Sequence, residues 1–306
     1  MTSWVATIDA RIRSSDPRGI PQHWAQRTGH PYPPVPIEDG LRFTFPVQAE
    51  TPSQAEVTAE SQLKDVFQHA EVLHVQVRLV TLWTYCIPYD DGAAPNPFWG
   101  VCTLAICKPV IRRNAQLGDW VVGVGSKNSP IGDVSTHVVY AMRVSAKVSM
   151  ADYDVMTRTH LSNKVPVRKH KDWRRWVGDS IYDFTSDPPI QRAGVHLIDN
   201  RATDLGGQYV LRSDHFFYFG DHPKRLPDEL LPIVKQGQGH RSVSNAPYVD
   251  VFTIWIEGLG VKANTLQGKP QIDLFKDEAT PAACAAHDRK EDLEDERLAV
   301  SGLSDP

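Results

Sequence analysis

Acid and base side chains crowd the stretch from His196 to His222, where Asp199, Asp204, Asp214, His215 and Asp221 lie between the two histidines. Imidazoles and carboxylates exchange protons near neutral pH, which makes this stretch a candidate for general acid–base catalysis. Asp179, which follows Gly178 and precedes Tyr182, is a second candidate. We single out Asp179, His196 and Asp204 as proton-transfer residues. The competing role is structural, since short polar side chains in loops commonly cap and cross-link them.

Cationic groups form three further sets. Lys108, Arg112 and Arg113 fall around the start of a predicted helix and suit phosphate through charge-assisted hydrogen bonds; a solvated helix face is the alternative. Ser126 and Lys127 belong to the loop GVGSKNS, whose amides suit an anion, although it lacks the Gly-Lys-Ser ending of a phosphate loop and reads equally as a tight turn. Lys169, Lys171, Trp173, Arg174 and Arg175 belong to the run NKVPVRKHKDWRRW, which combines backbone neutralisation with rings for stacking. The same tryptophans equally anchor a surface loop to the core. Cys102 and Cys107 sit five apart in what reads as one strand and so face opposite ways, which argues for buried thiols and against a metal site.

The elements that must position these residues are short. Residues 1–70 hold recurring prolines from Pro17 to Pro52 without a sustained period, the pattern of an extended, weakly ordered extension, apart from a short helix within Ser53–Ala70. From Val72 the run VLHVQVRLVTLWTYC reads as a strand, and Val101–Cys107, Trp120–Val124 and His137–Val148 read as three more. Helices are expected at Val110–Gln116, Met150–Thr159, Leu226–Val234 and Tyr248–Leu259, and a strand pair at Gln208–Phe219. The domain boundaries are therefore set at 1–70, 71–276 and 277–306.

The formal net charge is −4, but residues 277–306 alone carry nine carboxylates against three Lys or Arg, so the remainder is close to neutral. That tail reads as acidic and disordered. A nearly neutral body excludes a generic nucleic-acid binder driven by its overall field. Four scattered cysteines exclude a disulfide scaffold, and the early charges Asp9, Arg11 and Arg13 interrupt any secretory leader. The expected location is the cytoplasm, with no membrane partner.

Three ordered stretches carry a resemblance: APNPFWGVCTLAICKPVIRRNAQLGDWVVGVGSKNS (Ala94–Ser129), GDSIYDF (Gly178–Phe184) and QYVLRSDHFFYFGDHP (Gln208–Pro223). Together they resemble the nucleotide modification associated domain 2 family of phages and bacteria, over about Leu73–Leu259. The resemblance implies a protein that binds and processes a modified nucleotide or its precursor in DNA modification. Its partners would be nucleotide or DNA with modified bases, together with proteins of a modification system. Asn96, Phe98, Lys108, Arg112, Ser126, Lys127 and Tyr182 would then contact nucleotide, Phe98 and Tyr182 through the base. No cofactor is assigned.

A second likeness, to barrels of the PUA, ASCH and EVE type, rests on a basic helix, a Gly-Asp turn and a strand ending in Gly-Ser. It implies an α+β fold with a curved, mostly antiparallel sheet, closed as a PUA-like barrel with peripheral helices. A pocket is expected under the Asn96–Trp99, Gly125–Asn128 and Asp179–Tyr182 loops. Converging acid and base groups in that pocket would favour an enzyme, aromatic walls without them a non-catalytic reader of modified bases, and no pocket an accessory scaffold.

Overall fold

The computed structural model describes residues 1–271 except Ser15, Pro31, Tyr32, Gln236 and Gln238. The acidic stretch 277–306 lies outside the described residues. The chain divides into two compact units, Met1–Val80 and a second beginning at Thr81.

The first unit runs β1 (Thr2–Arg11), α1 (Ile20–Thr28), β2 (Val35–Ile37), β3 (Gly40–Ala49), α2 (Pro52–Val66) and β4 (Glu71–Leu79). Its antiparallel sheet has the order β2-β3-β1-β4, the arrangement of a ferredoxin-like βαββαβ unit. Alternate residues Trp4, Ala6, Ile8 and Ala10 of β1 face Ile20 and Trp24 of α1 and Ala55, Ala59 and Leu63 of α2 in one core. The i, i+4 spacing on both helices sets each apolar stripe against the sheet.

The described residues of 1–70 thus belong to a folded unit, where a weakly ordered extension was expected. Four of the prolines that suggested it occupy sites where a missing N–H costs little. Pro21 and Pro52 open α1 and α2. Pro36 lies in the edge strand β2, and Pro46 lies where β3 is paired only with β1. The run from Val72 is likewise two strands, since Val80 and Thr81 divide β4 from the first strand of the second unit.

The second unit contains β5 (Leu82–Ile87), β6 (Cys102–Leu104), α3 (Pro109–Asn114), β7 (Trp120–Gly125), β8 (His137–Arg143), β9 (Ala146–Ser149) and α4 (Met150–Thr159). It continues with β10 (Tyr182–Asp183), β11 (Ile190–Gln191), α5 (Arg201–Gly206), β12 (Tyr209–Ser213), β13 (Phe216–Tyr218), β14 (Lys224–Arg225), β15 (His240–Arg241), α6 (Val249–Glu257) and β16 (Thr265–Leu266). The expected helix at Leu226–Val234 is a 3-10 turn over Asp228–Ile233, with Pro232 inside it.

One sheet has the order β15-β5-β7-β8-β13-β16, with β14 also on β8; a second is β6-β12-β9, and β10 pairs β11. Pairing is antiparallel except for β5 with β7 and β13 with β16. The fold is α+β and mostly antiparallel, but no closed barrel forms among the described residues. The reason lies at one corner. The chain leaves the large sheet between β8 and β9 and enters it again between β12 and β13, so the two sheets separate there.

Between the sheets lies a core that includes Tyr85, Leu104, Val121, Tyr140, Leu211 and Tyr218. The apolar strand β7 is buried along its whole length. At Gly123 a Cβ would come within 2.2 Å of Ile87 Cδ1 and 2.6 Å of the Tyr140 ring, so only glycine lets these side chains meet. A second core on the other face of β6 and β12 joins Ile106, Cys107, Tyr153, Ile181, Tyr182 and Val210. Among the described residues no helix is long and apolar enough to cross a membrane.

Candidate active site

The chain turns sharply between β6 and α3. Cys107 and Lys108 have φ of 58° and 44°, the left-handed region that costs a residue with a side chain about 1–2 kcal/mol each. Pro109 then opens the helix, where its fixed φ is suited. A strained turn from strand to helix carries a nucleophile out of the backbone it interrupts, as in hydrolases with a nucleophile elbow.

Cys107 Sγ lies 3.3 Å from His196 Nε2, and His196 Nδ1 lies 2.7 Å from Asp204 Oδ2. Asp204 also accepts the Tyr182 hydroxyl at 2.8 Å on Oδ2 and the backbone N–H of Cys107 at 3.0 Å on Oδ1. A carboxylate at Nδ1 fixes that nitrogen as the protonated one and leaves Nε2 to take a proton from the thiol. The arrangement is a thiol, an imidazole and an orienting carboxylate in line. Burial pushes the Asp204 carboxyl up, but His196, Arg112 and the Cys107 N–H together outweigh it and hold it below its ordinary value. Burial, and then the Asp204 charge, push the Tyr182 phenol far up, so it remains a hydrogen-bond donor.

Arg112 holds this assembly from within. It is 0% exposed, and its guanidinium donates to the carbonyls of Cys107 at 2.7 Å, Asp204 at 2.6 Å and Tyr209 at 2.9 Å. A Cβ at Gly207 would stand 2.1 Å from that guanidinium, so glycine is required where α5 ends. Gln191 of β11 donates to the His196 carbonyl at 3.0 Å and fixes the other end.

The thiol opens on a narrow recess walled by Tyr85, Tyr89, Asp91, Lys108 and His196. Its volume is about 10 Å³, room for roughly one water. The Lys108 ammonium stands 5.1 Å from the centre of the Tyr85 ring. Behind this wall Asp90 is 0% exposed, accepts the Tyr218 hydroxyl at 2.6 Å and the Gly92 N–H at 3.1 Å, and is raised by burial to about 7.

A second buried polar cluster has no opening on that recess. Lys164 donates to Asn96 O and Oδ1, both at 2.8 Å, and to Val101 O and Thr103 Oγ1, both at 3.0 Å. Asp179 accepts from Thr103 and from the Tyr153 hydroxyl. Burial outweighs the attraction between the two charges on both sides, pushing Lys164 down to about 8 and Asp179 up. Asn96 and Asp179 therefore serve as hydrogen-bonding partners of an enclosed network.

The residues singled out by sequence separate accordingly. His196, Asp204, Tyr182, Lys108 and Arg112 come together around Cys107, with the buried Arg112 guanidinium turned inward to three backbone carbonyls. Ser126 accepts the Asn128 N–H and Lys127 is exposed, and neither lines the recess. Asn96, Ser126 and Tyr182, taken from the three loops expected to cover one pocket, do not line this recess.

In the basic run, Trp173 stands edge-on to buried Phe98 at 5.3 Å, Arg174 pairs Asp172 and lies 4.4 Å over Trp99, and Arg175 donates to Asn163 Oδ1 and Val165 O. Lys169 and Lys171 are exposed. Sequence reasoning read Cys107 only as a buried thiol and Lys164 only as part of the basic run. The signal for the first was Pro109, which ends the strand and forces the thiol into a turn; Lys164 carried none, because a lysine is buried only by tertiary structure.

Residues 79–278 match the model of a family described as nucleotide modification associated domain 2. Neither a search of curated proteins nor one of solved structures finds a match.

Proposed function

From a chain that belongs to the nucleotide modification associated domain 2 family, we infer an enzyme whose thiol, Cys107, carries out acyl transfer on a nucleotide or on the group being joined to one. His196 Nε2 takes the thiol proton. The thiolate attacks a carbonyl carbon, a C–S bond forms, and the bond from that carbon to nitrogen or oxygen breaks. The proton on His196 passes to the departing amine or alkoxide. Water or an amine then attacks the thioester, gives its proton to His196 and releases the thiol. Asp204 orients the imidazole throughout, and the Lys108 ammonium at the recess offsets charge on the carbonyl oxygen. The observation that carries this reading is the 3.3 Å and 2.7 Å chain from Cys107 through His196 to Asp204.

Two measurements test it. After incubation with p-nitrophenyl acetate, peptide mass spectrometry should find an acetyl group on Cys107 that hydroxylamine removes, and none in His196→Ala. Nucleosides from DNA of cells carrying Cys107→Ser should lose the modification present with the parent gene; identical nucleosides in both would refute the reading.

A further inference from the structure

The N-terminal unit lies almost wholly outside the family match and has no cysteine, so it holds no second copy of the thiol site. It does hold a cleft more spacious than the thiol recess. A cleft of about 500 Å³ opens between the segment after β1, the start of α1 and the connection from α2 to β4. That volume falls within the roughly 300–1,000 Å³ of small-molecule sites.

Its lining combines two chemistries. Ile12, Ile20, Val66 and Phe67 make an apolar wall, and the Phe67 ring meets the His23 ring at 5.6 Å, leaving aromatic surface at the cleft. Arg13 and His69 stand at the exposed rim. Two neighbouring arginines are engaged, Arg11 with Asp39 and Glu71, and Arg42 with Asp9. Arg13 has no hydrogen-bond or ion-pair partner among the described residues. An arginine left open beside an aromatic wall suits an anion attached to a flat ring. Ser14 and Asp16 line the same cleft and offer acceptors for sugar hydroxyls, Ser14 Oγ already taking the Asp16 N–H at 3.1 Å.

We propose that this cleft binds a nucleoside monophosphate, with the base against Phe67 and His23 and the phosphate at Arg13. The site is independent of thiol chemistry, so the acyl-transfer reading and this one stand or fall separately. The test is calorimetric titration of the full-length Cys107→Ser protein with thymidine 5′-monophosphate, thymidine and inorganic phosphate. The monophosphate should bind more tightly than either part, and added salt should weaken it. Arg13→Ala should lose about tenfold in affinity for the monophosphate and leave thymidine unchanged, whereas Lys108→Met should change neither. Absence of binding, inorganic phosphate binding as tightly as the monophosphate, or a loss with Lys108→Met but not with Arg13→Ala would each overturn the proposal, the last by placing the ligand at the thiol recess.

Discussion

Asp179 and Asp204 are both enclosed carboxylates of the second unit, yet burial prevails at one and yields at the other. Asp204 accepts from three protein groups, one of them an imidazole in contact with a thiol at a recess, and its acidity rises. Asp179 accepts from two hydroxyls and has its cation, Lys164, held chiefly by other acceptors, and its acidity falls. Burial alone therefore does not set the acidity of a carboxyl group. What separates the two is the partner: an exchangeable proton facing a cavity in one case, a closed hydrogen-bond lattice in the other.

The largest effect that would break this contrast lies in reactivity. Asp204→Asn should slow turnover on the order of 10⁴-fold, because the amide presents the wrong hydrogen-bond pattern to His196 Nδ1. Asp179→Asn should leave the rate of Cys107 alkylation by iodoacetamide within a few-fold of the parent. Equal losses in both variants, measured on folded protein, would erase the distinction. Stability should respond the other way. Lys164→Met strands the buried Asp179 carboxyl and should cost about 3–5 kcal/mol in urea unfolding, while Cys107 in the remaining folded molecules keeps its reactivity.

Asp90 sharpens the comparison through pH. Its folded value of about 7 lies above the ordinary 3.8, so its favourable contribution is complete below pH 3.8 and is lost as pH rises through 7. Asp90→Asn removes that dependence. Its gain over the parent should grow by about 2 kcal/mol between pH 5.5 and 8.5 in paired melting curves, and a constant gap would contradict the assignment. The smallest effect belongs to the surface. Arg174→Ala removes a partly exposed pair with Asp172 and should cost under about 1 kcal/mol in the same unfolding assay.

Much of the fold was legible because local patterns decide it. Alternating and continuous apolar runs gave β7, the strand that splits into β8 and β9, and the α3, α4 and α6 helices, and ordered motifs gave the family. The barrel was not legible, since closure depends on where β8–β9 and β12–β13 change sheets, a bend no period records. Residues 1–70 misled because proline frequency was weighed without proline position.

For the site, sequence alone determined the chemical types: His196 and Asp204 stood out as groups able to move protons, and Lys108 and Arg112 as cations near a helix start. Tertiary structure alone decided their neighbours. Cys107 is 89 residues from His196 and 97 from Asp204, and their contact depends on how β6, β11 and α5 pack. The same packing turned Arg112 away from solvent and sealed Asp179 with Lys164. The physical reason is that reactivity depends on distance, burial and the charge of the neighbour, and across such separations the folded chain sets all three.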